Sequence, residues 1–213
     1  MPLALTNLYL ARHGQTEYNR LNQIQGRGID ASLNDTGYRQ ARAIASHFKN
    51  NELHHLFSSS LKRSFETASV VGEMHGLEPE PHADLDEMDF GPLEGRPISE
   101  IESKLEELHN NWRSGNTTFT FGQAETPEVV LERASGRVED ILSEKRGKNL
   151  LFVLHGRLIR ILVSHWLGYG LSGMHKVPHT NGALYHLQWN GDAFKPIYLN
   201  RTAHLSNGSA SKV

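Results

Sequence analysis

Short apolar runs alternate with amphipathic stretches along this chain. Leu8-Tyr9-Leu10-Ala11 and Leu150-Leu151-Phe152-Val153-Leu154 are apolar throughout, as strands covered on both faces should be. Leu56-Phe57 predicts a weaker second strand. Asn34-Asp35-Thr36-Gly37 reads as a turn into a helix that carries Tyr38, Ala41, Ile44, Ala45 and Phe48 at helical spacing. Ser58-Ser59-Ser60 offers N-caps for the next helix. That helix is expected to place Leu61, Phe65, Ala68 and Gly72 on one face and Arg63 with Thr67 on another. Thr126-Pro127-Glu128 is an N-cap, a first-turn proline and an acid, and Val130, Ala134, Val138 and Ile141 continue the helix. Residues 158–167 are apolar nearly all round, which predicts a buried helix. Ala183, Tyr185, Leu187 and Trp189 alternate with Leu184, His186 and Gln188. Asn190-Gly191 then turns the chain into 194–199, a hairpin whose Pro196 marks an edge strand. Residues 110–126 are polar and irregular, as in a surface excursion or lid.

Strands alternating with helices predict an α/β fold: a three-layer α/β/α sandwich with a mostly parallel central sheet and an antiparallel edge strand. No Pro/Gly/Ser-rich linker interrupts the 213 residues, so 1–205 is read as one domain and 206–213 as a disordered tail. The formal charge of −2 argues against a broad basic surface for nucleic acid. With no cysteine, disulfides, thiolate nucleophiles and Cys-ligated zinc are excluded. No His-Glu-x-x-His or comparable metal-ligand spacing occurs, and His54-His55 reads as a solvated pair. The first residues lack the basic and apolar segments of a signal peptide, and no apolar run approaches membrane-spanning length. The expectation is a cytoplasmic protein without cofactor, membrane or nucleic acid, in which a homodimer is allowed.

Two His-Gly pairs change the picture. His13-Gly14 and His155-Gly156 each leave an apolar strand, and ligands of α/β sheets gather beyond the carboxyl ends of strands. A neutral imidazole is a competent nucleophile toward phosphorus. Arg12 offers a planar fork for phosphate oxygens, and Thr16 and Asn19 add neutral donors. Arg63, near a helix start, is a candidate second arginine. An alkoxide leaving group wants a proton donor, and the stretch from Leu85 to Gly95 supplies Asp86, Glu87 and Asp89, among which spacing does not choose. Gly168-Tyr169-Gly170-Leu171-Ser172-Gly173 fits a dinucleotide fingerprint but follows a helix instead of a strand, so it reads as a helix C-cap and loop.

Taken in order, these segments resemble the histidine phosphatase superfamily, which includes the cofactor-dependent phosphoglycerate mutases. Arg12-His13-Gly14-Gln15-Thr16-Glu17-Tyr18-Asn19 resembles its opening motif, and Gln25-Gly26 a substrate-proximal pair. Asn34 to Ala41, Ser59 to Ala68, Leu85 to Gly95, and His155-Gly156 with Ile159-Arg160 resemble later motifs, in family order. The resemblance implies a phosphoglycerate mutase-like fold and a phosphohistidine on His13. It implies a phosphate pocket of Arg12, Arg63 and His155 bordered by Thr16, Asn19, Gln25, Gly26 and Gly156. It makes Glu87 the proton donor and requires no metal. Two residues depart from the pattern: Arg157 stands where a second glycine is usual, and Leu93 where Trp is common. Mutases of this kind carry a long insertion with Pro-Pro-Pro and Arg-Arg, absent between Gly95 and Thr126, and a lysine where this chain has Ile98. The short form resembles the phosphatases, which implies hydrolysis of a small phosphorylated substrate. The alternatives are a mutase or a non-catalytic module that binds phospho-ligands. Trp112, Phe119 and Phe121 are candidates either for pocket lining or for ordinary packing.

Overall fold

The structure is a computed structural model and describes residues 5–206. Its strands are β1 (Thr6–Arg12), β2 (His55–Ser59), β3 (Glu80–His82), β4 (Asn149–Leu154), β5 (Leu184–Trp189) and β6 (Phe194–Arg201). Its helices are α1 (Glu17–Arg20), α2 (Asp35–His47), α3 (Lys62–His75), α4 (Glu102–Arg113), α5 (Pro127–Glu144), α6 (Gly156–Trp166) and α7 (Ala203–Ser206). The six strands form one sheet in the order β3-β2-β4-β1-β5-β6. The first four run parallel, and β5 and β6 close the edge antiparallel. Helices cover both faces, so the expected three layers are present. The tail expected at 206–213 lies outside the described residues except for Ser206, which ends α7.

Apolar residues at alternate strand positions enter two separate cores. Leu8, Leu10, Leu150, Phe152 and Leu154 pack with α4, α5 and α6, while Ala11, Leu151 and Val153 pack with α2 and α3. That two-sided burial is why 8–11 and 150–154 are apolar without a break. α2 and α5 start as their sequences require. Asn34 accepts from Gly37 N at 2.9 Å, and Thr126 accepts from Val129 N at 3.3 Å. Pro196 lies on the outermost strand, opposite Leu187.

Several expectations are corrected. None of Ser58, Ser59 and Ser60 caps α3, whose N-cap position is Leu61 without a side-chain cap. Ser59 and Ser60 instead bond His155 and Asp86. Leu61, Ala68 and Gly72 are buried as expected, but Phe65 is 39% exposed, and the buried face also takes in Arg63, Ser64, Thr67 and Val71. The polar pair is inward because it belongs to the site. Residues 110–113 end α4 instead of opening an excursion. Trp112 is buried beneath the segment that follows, and its indole N–H donates to Phe119 O at 2.9 Å. Phe119 and Phe121 pack on the same core, so 114–126 is a packed cover and these aromatics are packing residues. His54 is half-buried, accepting from Asn149 N at 3.1 Å, and is not a solvated histidine.

Two glycines lock the site's opening loop to α2. A Cβ on Gly14 would lie 2.4 Å from Gly37 O, and one on Gly37 would lie 2.2 Å from Gln15 O. Backbone meets backbone here, so no side chain can yield. Gly14→Ala should therefore lower stability by about 1–3 kcal/mol, the usual range for overpacking. Chemical denaturation checks this, and an unchanged midpoint would contradict the contact.

Candidate active site

Parallel pairing of β1 with β4 places the residues after each strand side by side. His13 N donates to Leu154 O at 2.9 Å, and the His13 and His155 rings sit 5.1 Å apart at 55°. The neighbouring β2 brings Ser59 alongside. Three distant parts of the chain thus meet at the carboxyl edge of the sheet.

His13 is 3% exposed. Its Nδ1 donates to Gly14 O at 2.7 Å, which leaves the Nε2 lone pair without a partner among the described residues. Burial, then Arg63 and Arg12, hold its pKa well below the ordinary histidine value, so the ring is neutral near pH 7. His155 is also depressed by burial first and then by Arg63. Ser59 Oγ accepts from Leu61 N, so its proton goes to His155 Nε2 at 2.6 Å. The ring proton is then on Nδ1, which is buried and unpartnered.

The arginines Arg12 and Arg63 are held by carbonyls and, among the described residues, have no acid in ion-pair contact. Arg12 Nη1 donates to His179 O at 2.5 Å. Arg63 is fully buried and donates to Ile29 O at 2.7 Å and Gly26 O at 3.1 Å. Burial lowers Arg63 to about 10, against the raising influence of Glu87, and it stays cationic. The Nε atoms of both arginines are buried without partners. The first amide of α3 is not a free anion site as its sequence implied, because Lys62 N donates to Asp30 at 2.7 Å.

The three carboxylates of the 86–89 segment have separate tasks. Asp86 accepts from Ser60 N and Ser60 Oγ at 2.9 and 2.8 Å. Asp89 accepts from Gly91 N. Glu87 alone of the three faces the cleft. Its Oε1 accepts from Met88 N and Leu158 N, and its Oε2 from Arg157 N, each at 3.0 Å. Two of those donors open α6, whose dipole favours an anion there. Arg133 fixes the segment from behind by donating to the carbonyls of Asp84, Asp86 and Glu87 while pairing with Glu125 at 2.9 Å.

These residues floor and wall an open cleft of about 550 Å³. Arg12, Asn19, Gln25, Glu87 and Gly156 line it, whereas His13, Arg63 and His155 are buried and not among its lining residues. Thr16 is fully buried as the N-cap of α1 and donates to Gln25 Oε1 at 2.7 Å. Gly26 serves through its carbonyl. Sequence reasoning missed His109, His179 and Asn181, which also line the cleft. Asn181 Nδ2 donates to His13 O at 3.3 Å and Asn19 Oδ1 at 3.0 Å. Burial and nearby arginines push His109 to about 4 and His179 to about 3. Among the described residues, no three His, Asp or Glu side chains are grouped to hold a metal ion.

Unpaired arginines around two neutral imidazoles, at the carboxyl edge of a parallel sheet, define an α/β protein with a site suited to an oxyanion. The comparisons are more particular. The model of the histidine phosphatase superfamily, branch 1, matches residues 8–202, and the chain belongs to that superfamily. It is similar to "Putative phosphoserine phosphatase 2" of Hydrogenobacter thermophilus, 29% identical over 94% of this chain and 98% of that protein. It is also similar to "Probable phosphoglycerate mutase GpmB" of Yersinia pestis, 30% identical over 77% of this chain and 76% of that one. Among solved structures, phosphoserine phosphatase from Entamoeba histolytica in complex with 3-phosphoglyceric acid aligns with a TM-score of 0.83. It is 25% identical and covers 94% of this chain and 99% of that one. No helix among the described residues is long and apolar enough to cross a membrane.

Two measurements test this arrangement. Arg133→Ala takes from Glu125 its nearest cation, leaving it Asp89 N and the more distant Arg27, and removes a donor from three carbonyls; it should cost about 3 kcal/mol in denaturant titration. A loss under 0.5 kcal/mol would mean that the clamp is not formed. Stability should also depend on pH above 5. His109 and His179 are held below about 6.5, so the unfolded chain binds protons there that the folded chain refuses. Their contribution is therefore lost as pH falls below about 6.5. The urea midpoint should be lower at pH 5 than at pH 7, and a midpoint that rises on acidification would contradict the assignment.

Proposed function

We propose that the protein is a metal-independent phosphomonoester hydrolase that works through a phosphohistidine on His13. The observation that carries this reading is the set of buried polar atoms left without partners at one place: Arg12 Nε, Arg63 Nε and His155 Nδ1, around a neutral His13 whose Nε2 is free. Each unpaired buried polar group costs about 1–3 kcal/mol, and phosphoryl oxygens would satisfy the donors. In the first step His13 Nε2 attacks phosphorus while Gly14 O holds the Nδ1 proton. Charge gathers on the phosphoryl oxygens, where Arg12, Arg63 and His155 stabilise it, and Asn19 borders the pocket. The P–O bond breaks, and Glu87, which enters the cycle as the carboxylic acid, gives that proton to the departing alkoxide and is left as the carboxylate. In the second step Glu87 takes a proton from water, which attacks phosphohistidine and releases inorganic phosphate.

Water is the acceptor in this reading because the cleft is open and the mutase insertion is absent between Gly95 and Thr126. Ile98, where mutases have a lysine, is 42% exposed at the rim. The relatives named phosphatases agree with it. A relative named as a phosphoglycerate mutase keeps transfer to an organic hydroxyl as the second reading.

Phosphate release from an ester panel should be abolished by His13→Ala, and wild type exposed to substrate and quenched should carry phosphate on His13. Unchanged turnover in His13→Ala would sink the mechanism. The panel includes 3-phosphoglycerate with 2,3-bisphosphoglycerate, where efficient isomerisation would favour the mutase reading. Glu87→Gln should slow alkyl phosphates by about 10²–10⁴-fold and p-nitrophenyl phosphate far less, because that leaving group needs little protonation. Equal losses on both would remove Glu87 from the donor role.

A further inference from the structure

Arg157 departs from the family pattern, and its side chain lines the cleft. Its guanidinium lies over the Trp112 ring at 5.0 Å and the Phe90 ring at 6.0 Å. Its Nη2 donates to His109 Nε2 at 3.0 Å. Stacking and this bond hold the head in one place on α4's side of the cleft. Among the described residues it has no carboxylate in ion-pair contact. Arg160, one turn further along α6, also lines the cleft and donates only to the carbonyls of Met174 and His175. Arg133 and Arg137, outside the cleft and partly buried, are by contrast paired with Glu125 and Asp84. Glu102 and Glu106 of α4 line the same cleft, but both are exposed, where water screens them.

A withdrawn cation with no carboxylate in ion-pair contact, and Glu87 acting on it only at longer range, is costly, and a ligand anion would relieve it. Position tells which part of the ligand that is. Arg157 N holds Glu87, the proposed proton donor to the leaving oxygen, so the Arg157 side chain stands on the leaving-group side. We propose that Arg157, supported by Arg160, forms a second anion subsite, and that the substrate is a phosphomonoester whose alcohol carries its own carboxylate or second phosphate. The inference rests on the hydrolase reading above and adds the substrate class.

The test compares three esters of similar size: phosphoglycolate, ethylene glycol bisphosphate and neutral-tailed ethyl phosphate. In wild type, kcat/KM for at least one anionic-tailed ester should exceed that for ethyl phosphate by about tenfold or more, as charge-assisted bonds give. Whichever anionic ester is preferred identifies the second anion as carboxylate or phosphate. Arg157→Gln should collapse the ratio toward one, mainly by raising KM for the anionic ester, and Arg157→Lys should restore part of it. Hydrolysis of all three esters with equal efficiency by wild type overturns the subsite and leaves the hydrolase reading intact. So does an undiminished preference in Arg157→Gln. Hydrolysis of none of them, with no other ester in the panel turned over, overturns both.

Discussion

The parallel pairing of β1 with β4 is the constraint on which the rest depends. The bond from His13 N to Leu154 O is an ordinary ladder bond carried one residue past the strand. It fixes two histidines from opposite ends of the chain within one ring's width of each other. Both strands are covered on both faces, so the pair has no freedom to slide. The site is thus an extension of the sheet, and its geometry is as firm as the core beneath it.

That firmness sustains an arrangement that folding alone would not favour. Two imidazoles are kept neutral and two arginines are held by carbonyls where carboxylates would serve stability better. Glu87, the buried one among the described carboxylates that line the cleft, is turned onto the amides that open α6 and is backed by Arg133. It cannot swing over to neutralise Arg12 or Arg63 without giving up three hydrogen bonds. The positive field therefore stays available to an incoming oxyanion.

Much of this was legible in the sequence, for reasons that differ from residue to residue. The two apolar runs and their His-Gly ends read directly, because two-sided burial leaves no polar position inside such strands. Thr126 and Asn34 announced their helices through capping chemistry. The polar part of α3's buried face did not read, since burial of Arg63 and Thr67 inverts the usual sorting of polar from apolar residues. β3 is three residues long with a proline at its centre, and periodicity has nothing to measure there. α4 carried a signal that was passed over: Ile101, Leu105, Leu108 and Trp112 recur at helical spacing under a run of Glu, Lys and Asn. His109, His179 and Asn181 had no local signal, because the fold alone brings them to the cleft. Arg157 was conspicuous as a departure, yet only its stacking on Trp112 gave it a direction.

The contact between Gly14 and Gly37 divides the cleft into two kinds of wall. Around the end where Arg12 and Glu87 stand, chain meets chain at distances that leave no room for a substituent, and the polar side chains are held by main-chain carbonyls and amides. Around the far end, the surface is made of side chains, those of Glu102, Leu105, Glu106 and His109 on α4 and of Arg157. A lineage built on this scaffold would therefore inherit its chemistry intact and acquire new substrates through α4. Relatives can share a reaction while differing in the molecules on which they perform it.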